Sequence, residues 1–186
     1  MVGVVCGLGN PGPRYVFTRH NLGFRALDAY LERYGGRARL LKSPEALYYR
    51  LDGHLLVKPL TYMNRSGLAV RQFCLAQRCT PQDCLIVYDD YALPLGRLRA
   101  RAHGSSGGHQ GMRSVIEALG TQEIPRLRLG IRGAGPTNDL VEYVLAPFTP
   151  KEEELLPDLL ARAAEAIELF LHRGIEAVMQ EFNPEA

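Results

Sequence analysis

The chain has 186 residues, is 46% hydrophobic and carries a formal net charge of only +2. That length suits a single domain, residues 1–186, with a substantial core. No apolar run approaches the ~20 residues a membrane span needs and no basic-then-apolar leader opens the chain, so a cytoplasmic protein with no membrane partner is expected.

Val2 to Cys6 is short, apolar and β-branched, which predicts a buried strand. Gly7, Gly9 and Gly12 follow at once, with Asn10 among them and His20 closing the stretch. Glycines at a strand end permit a sharp turn or a close approach to a ligand, and the end of a core strand in an α/β protein is the expected place for a site. Gly7-Leu8-Gly9-Asn10-Pro11-Gly12 formally matches the dinucleotide fingerprint G-x-G-x-x-G. That fingerprint needs a helix opening directly on the glycines, and Pro11 and Pro13 push the residues before them away from helical angles. Asp28 and Glu32 fall near the distance of the required acidic residue, but in a helical pattern. The nucleotide reading is therefore weak.

Phe24, Leu27 and Leu31 form one apolar helical face, ended by Gly35-Gly36. Tyr48 to Val57 predicts a hairpin turning at Asp52-Gly53. Thr61 to Gly67 is a polar loop leading into a helix from Ser66 to Ala76. Cys84 to Tyr88 is the clearest buried strand, ending on Asp89-Asp90. Arg97 to Arg101 alternates in sidedness and puts three arginines on one face of a strand. His103 to Gly111 is a glycine-rich polar loop, Met112 to Leu119 a short helix and Arg126 to Ile131 another strand. Leu140 to Leu145 fits a short helix or a strand equally. Pro150 starts a long helix with Glu152, Glu153 and Glu154 in its first turn and an apolar face that includes Leu155, Leu156, Leu159, Ile167 and Phe170. Gly174 breaks it, and Ile175 to Phe182 makes a last short helix.

Residues 150–186 hold three basic against nine acidic residues, a net of −6, which leaves +8 on the remainder. Arginines gather at Arg97, Arg99, Arg101, Arg113, Arg126, Arg128 and Arg132. A basic face beside an acidic helix suits a polyanion such as nucleic acid, and a mixed solvated surface suits the same counts. Cys6, Cys74, Cys79 and Cys84 lack paired C-x-x-C spacing, so the pattern suggests neither zinc nor a disulfide framework.

Taken together, Gly7-Leu-Gly-Asn-Pro-Gly12, Thr18-Arg-His-Asn-Leu-Gly23, Lys58-Pro-Leu-Thr-Tyr-Met-Asn-Arg-Ser-Gly67, Asp89 with Leu93-Pro94 and Gly96, Gly107-Gly-His-Gln-Gly111 and Arg126-Leu-Arg-Leu-Gly-Ile131 occur in order. In this register the chain closely resembles the bacterial peptidyl-tRNA hydrolases. The resemblance implies a single three-layer αβα domain with a mixed, partly parallel twisted sheet, acting as a monomer. It implies hydrolysis of the ester between peptide and tRNA, sparing unblocked aminoacyl-tRNA, with no metal and no organic cofactor. His20 matches the family's catalytic histidine, Asp89 its carboxylate partner, and Asn10 the residue that discriminates N-blocked substrate. Tyr15, Tyr62 and Asn64 match tRNA-binding positions. Met63, His109 and Gln110 fall in the same pocket, and Arg99, Arg101 and Arg128 match basic positions along the tRNA acceptor stem and 3′ end. Gln110 stands where the family usually has asparagine, which keeps the amide but extends its reach by one methylene.

An ester needs mainly an activated water and oxyanion stabilisation, and an imidazole with an unperturbed pKa of ~6.5 suits the base role. The alternative is a non-catalytic RNA-binding or splicing factor on the same fold. Asn10, His20, Asn64 and Asp89 occurring as a complete set favours the enzyme.

Overall fold

The computed structural model describes residues 2–184. Seven strands, β1 (Val4–Gly7), β2 (Arg39–Lys42), β3 (Ala46–Leu51), β4 (His54–Pro59), β5 (Cys84–Pro94), β6 (Leu98–Arg101) and β7 (Arg126–Arg132), form one sheet in the order β2-β3-β4-β1-β5-β7-β6. The four central strands, β4, β1, β5 and β7, run parallel, and β2, β3 and β6 are antiparallel to their neighbours. The sheet is thus mixed and partly parallel, as expected. The central strands read as unbroken apolar runs because helices cover both faces.

On one face pack α1 (Leu22–Tyr34), α6 (Leu156–Arg173) and α7 (Ile175–Phe182), around Val5, Leu85, Leu127, Ile167 and Phe170. On the other lie α2 (Ser66–Ala76) and α3 (Gln110–Leu119), around Val4, Cys6, Ile86, Met112 and Val115. Val4 and Val5 point to opposite layers, as successive strand residues must. Two short helices, α4 (Leu140–Leu145) and α5 (Pro150–Glu153), join β7 to α6. Among the described residues no helix is long and apolar enough to cross a membrane.

The start of α1 sits directly against the end of β1. A Cβ at Gly23 would fall on the carbonyl oxygen of Val87 and on the Leu8 backbone, and one at Gly7 would fall on the carbonyl oxygen of Gly23. Only paired glycines allow this approach, which delivers the chain from β1 to its turn and back within reach of β5. In that turn Pro13–Tyr15 forms a 3-10 turn and not a long helix, so the dinucleotide architecture is absent here.

Several expectations shift. The first strand starts two residues later than expected, and the edge strand β2, polar and largely exposed, carries no alternating apolar signal. The buried stripe of α1 is Leu22, Gly23, Ala26, Leu27 and Tyr30, rotated from the predicted Phe24-Leu27-Leu31 face because the glycine is what meets the sheet. The strand β5 does not stop at Asp89-Asp90 but continues through a register shift to Pro94, since β7 keeps pairing with it. Leu140–Leu145 is a helix, capped by the Asp139 side chain on Glu142 N–H. The expected single helix from Pro150 is two helices. Pro157 lacks an N–H and crowds the preceding turn, so α5 ends and α6 restarts, leaving Leu155 52% exposed at the junction.

Candidate active site

The strand order reverses direction about β1, and the loops after β1, β4 and β6, the outer part of β5 and α4 enclose a cleft at the carboxyl ends of the central strands, as the doubly wound arrangement predicts. The loop after β1 is tied to the turn at the start of α1 by a reciprocal pair. Asn10 N–H donates to Asn21 Oδ1 at 2.8 Å, and Asn21 Nδ2 donates to the Asn10 carbonyl at 2.9 Å. Asn10 Oδ1 accepts from Met63 N–H at 2.7 Å, tying in the loop after β4. This bond orients the Asn10 amide and leaves Nδ2 as its remaining donor. Tyr62, beside Met63, takes φ 63°, an unusual conformation for a side-chain-bearing residue, and its ring meets Tyr15 edge-on at 6.5 Å.

His20 and Asp89, 69 residues apart, meet at 2.8 Å between Nδ1 and Oδ2. The carboxylate only accepts, so Nδ1 carries the proton and Nε2 is the basic nitrogen. The other oxygen, Oδ1, lies 2.9 Å from His109 Nε2. His109 Nδ1 in turn accepts from Met112 N–H at 3.1 Å, capping α3, so its Nε2 is a donor. Burial alone would raise the Asp89 carboxyl, but the two imidazoles and their hydrogen bonds outweigh it and hold it well below the usual carboxylate range. Burial would likewise lower His20, and the Asp89 charge and hydrogen bond outweigh it and raise it above 6.5. The result is an imidazole of heightened basicity on a fixed anionic support. His20, Asp89 and His109 place one ligand atom each within 4.8 Å of one another, a spacing a metal could bridge. Both carboxylate oxygens already receive an N–H, however, so the three side chains satisfy each other.

His20 and Asp89 sit in the floor of a cleft of about 630 Å³, lined also by Asn10, Met63, Asn64 and Gln110. Asn10, His20, Tyr62, Met63, Asn64, Asp89, His109 and Gln110 converge here from the loops after β1 and β4, from strand β5 and from the start of α3. The far wall is apolar: Leu140, Val141, Val144 and Leu145 of α4. A second hollow of about 230 Å³ adjoins it, sharing Asp90, Ala92, Ser106 and Gly107 and lined by Arg101, Arg126 and Arg128. Arg99 pairs in register with Arg128 and Arg101 with Arg126, so all four start from one face of the sheet. Their availability differs. Arg99 and Arg101 are exposed, whereas Arg128 is held by Asp90 at 2.5 Å. Arg126, counted with the basic face in the sequence, is 2% exposed and bonds the carbonyls of Ile124, Ser105 and Gln122. It braces the glycine-rich loop and offers no charge to solvent.

Two contributors, Asn21 and Arg19, escape pattern reading, and His109, which the resemblance places in the pocket, holds the second oxygen of Asp89. Asn21 locks the Asn10 loop. Arg19 bonds the Tyr143 carbonyl, pairs with Glu152 at 2.7 Å and stacks 4.0 Å from the Tyr143 ring, anchoring α4. Asn21 and Arg19 lie inside Thr18–Gly23, so the motif held the only signal for them.

An open α/β sheet with an imidazole–carboxylate pair facing a cleft at its strand ends is the arrangement of a hydrolytic enzyme. The peptidyl-tRNA hydrolase family model matches residues 4–186. A peptidyl-tRNA hydrolase of Symbiobacterium thermophilum is 46% identical over 189 residues, covering 98% of this chain and all of that one. One of Thermotoga petrophila is 46% identical over 188 residues, covering 97% and 96%. The crystal structure of peptidyl-tRNA hydrolase from Acinetobacter baumannii superposes with a TM-score of 0.88 at 30% identity, covering 98% of this chain and 94% of that one. The chain belongs to the peptidyl-tRNA hydrolase family.

Proposed function

We propose that this protein hydrolyses the ester joining a peptide to the 3′ end of tRNA, with His20 as general base. The observation that carries the reading is the His20–Asp89 bond at 2.8 Å, which directs the proton to Nδ1 and leaves Nε2 as the base at the cleft. Nε2 takes a proton from a water as that water attacks the ester carbonyl. Asp89 keeps the tautomer and stabilises the imidazolium as it forms, and His109 keeps Asp89 in place. The imidazolium then returns the proton to the departing ribose oxygen.

Asn10 Nδ2 is a donor beside the scissile bond. An N-blocked peptide offers it a carbonyl acceptor, whereas the ammonium of a free aminoacyl ester offers only donors and a positive charge. This contrast favours peptidyl-tRNA and spares aminoacyl-tRNA. Asn64 and Gln110 supply further amides for the developing oxyanion or the substrate backbone. Tyr15 and Tyr62 give a stacking platform for the terminal base, and Met63 with the α4 wall gives it apolar cover. Arg99 and Arg101, with Arg128 in competition with Asp90, follow the acceptor-stem phosphates without reading sequence. We read the whole chain as one domain, working as a monomer in the cytoplasm. The test is turnover of N-acetyl-aminoacyl-tRNA by His20→Ala. A loss of at least about a hundredfold in kcat with the fold intact is expected from removing a general base, and near-normal kcat would refute the assignment.

A further inference from the structure

The cysteines suggested no metal by spacing alone, yet folding gathers three of them. Cys74 lies in the last turn of α2, Cys79 in the following loop and Cys84 at the first residue of β5. Their sulfurs stand 3.4 Å (Cys74–Cys79), 3.5 Å (Cys74–Cys84) and 3.8 Å (Cys79–Cys84) apart. None is in a disulfide. We propose that Cys74, Cys79 and Cys84 form a binding site for a thiophilic d¹⁰ ion of the zinc class, separate from the hydrolytic cleft.

Geometry supports the class of ion. Tetrahedral zinc–thiolate bonds of ~2.3 Å put neighbouring sulfurs about 3.8 Å apart. The observed triangle is close to one face of that tetrahedron, so an ion over it would keep a fourth position for water. Soft thiolates select ions of this kind over magnesium or calcium, which want oxygen. Binding is a proton-for-metal exchange: three thiols release three protons as three metal–sulfur bonds form, and no oxidant is needed.

The cluster is also built locally. Arg78 adopts φ 54°, turning the chain back so that Cys79 N–H bonds the Cys74 carbonyl at 3.1 Å. Thr80 and Asp83 then close a reciprocal cap that brings Cys84 under the other two. Cys74 and Cys84 are buried and Cys79 is half-buried, which gives an ion one entry point. Cys84 opens β5, and Asp89 is five residues along it, roughly 16 Å of strand at ~3.3 Å per residue. An ion here would staple α2 to the sheet and take no part in hydrolysis.

The experiment uses the full-length protein, reduced and stripped with chelator, then loaded with Zn(II) or with Co(II) as a spectroscopic probe. We expect one ion per chain by native mass spectrometry, a thiolate-to-cobalt charge-transfer band, protection of the half-buried Cys79 from alkylation and a raised Tm. Cys79→Ser should weaken binding at least about a hundredfold by removing one of three ligands, with turnover unchanged. His109→Ala should leave ion binding intact. If Cys84→Ser fails to fold, the half-buried Cys79→Ser carries the test. Sub-stoichiometric binding, or a Cys79 thiol alkylated as fast with the ion as without it, would overturn the proposal. So would an ion that survives Cys79→Ser and is lost in His109→Ala, because that ion sits in the cleft.

Discussion

His109 donates from Nε2 to Asp89 at 2.9 Å, on the carboxylate oxygen that His20 does not use. One buried anion thus serves two imidazoles with different duties, one turned to the cleft and one capping α3. His109→Ala leaves Asp89 Oδ1 without its donor, at a stability cost of about 1–3 kcal/mol for an unsatisfied buried acceptor. Asp89 also gains freedom to rotate. We expect a lower Tm and a reduced kcat with little change in KM, measured by thermal melts and steady-state kinetics. A KM effect alone would make His109 a substrate contact.

The pH profile carries the signature of the pair. His20 must be neutral to act, and Asp89 raises its pKa above 6.5, so kcat/KM should fall as pH drops through a value above 6.5. Asp89→Asn removes the charge that raises it. The acidic limb should then move to lower pH, while kcat falls by roughly 10²–10⁴ because the tautomer is no longer enforced. A limb that stays in place would detach the titration from this contact.

The same anion links stability to pH. Its native pKa is depressed, so its contribution is complete above the unfolded value of ~3.9 and is lost as pH falls through the lower native value. Acid unfolding of Asp89→Asn, followed by circular dichroism, should show a shallower loss of stability below pH ~4 than the parent. His20 works oppositely: its raised pKa contributes stability below ~6.5 that disappears as pH rises through the native value.

Arg19→Met removes the Glu152 pair and the cation from the Tyr143 ring, leaving the Glu152 carboxylate with the Thr149 N–H as its remaining donor, which costs about 1–3 kcal/mol. Because Arg19 anchors α4, the apolar wall of the cleft should loosen. Raised KM for peptidyl-tRNA and faster hydrogen exchange across residues 140–145 are the expected readouts.

Arg99→Ala combined with Arg101→Ala deletes two exposed cations from the basic face. The slope of log affinity against log salt should become shallower by about 1 to 2, with saturated turnover changed less. An unchanged slope would place the phosphates elsewhere.

Local pattern carried much of this molecule. The Asp52-Gly53 turn, with φ 51° and 85°, joins β3 to β4 as its dipeptide predicts, and α2 runs from Ser66 to Ala76 as its loop and apolar spacing predict. These features depend on residues a few positions apart, whose geometry the backbone alone sets. Where pattern failed, a distant contact or a local breaker decided: pairing with β7 extends β5, and Pro157 divides the last long helix.

Residue order alone was enough to read most of the alternation of strands and helices, the glycine and asparagine loops at the strand ends, and which motifs stand in register with a known family. Long-range folding was needed to reveal that Asp89 is shared by His20 and His109, that the Asn10 amide is oriented by Met63, that Arg126 is an internal brace, and that three thiols converge beside the sheet. The difference is one of range. Periodicity reports which way a side chain leaves its own backbone, whereas a site is made where strands register across tens of residues and loops are locked by each other's hydrogen bonds.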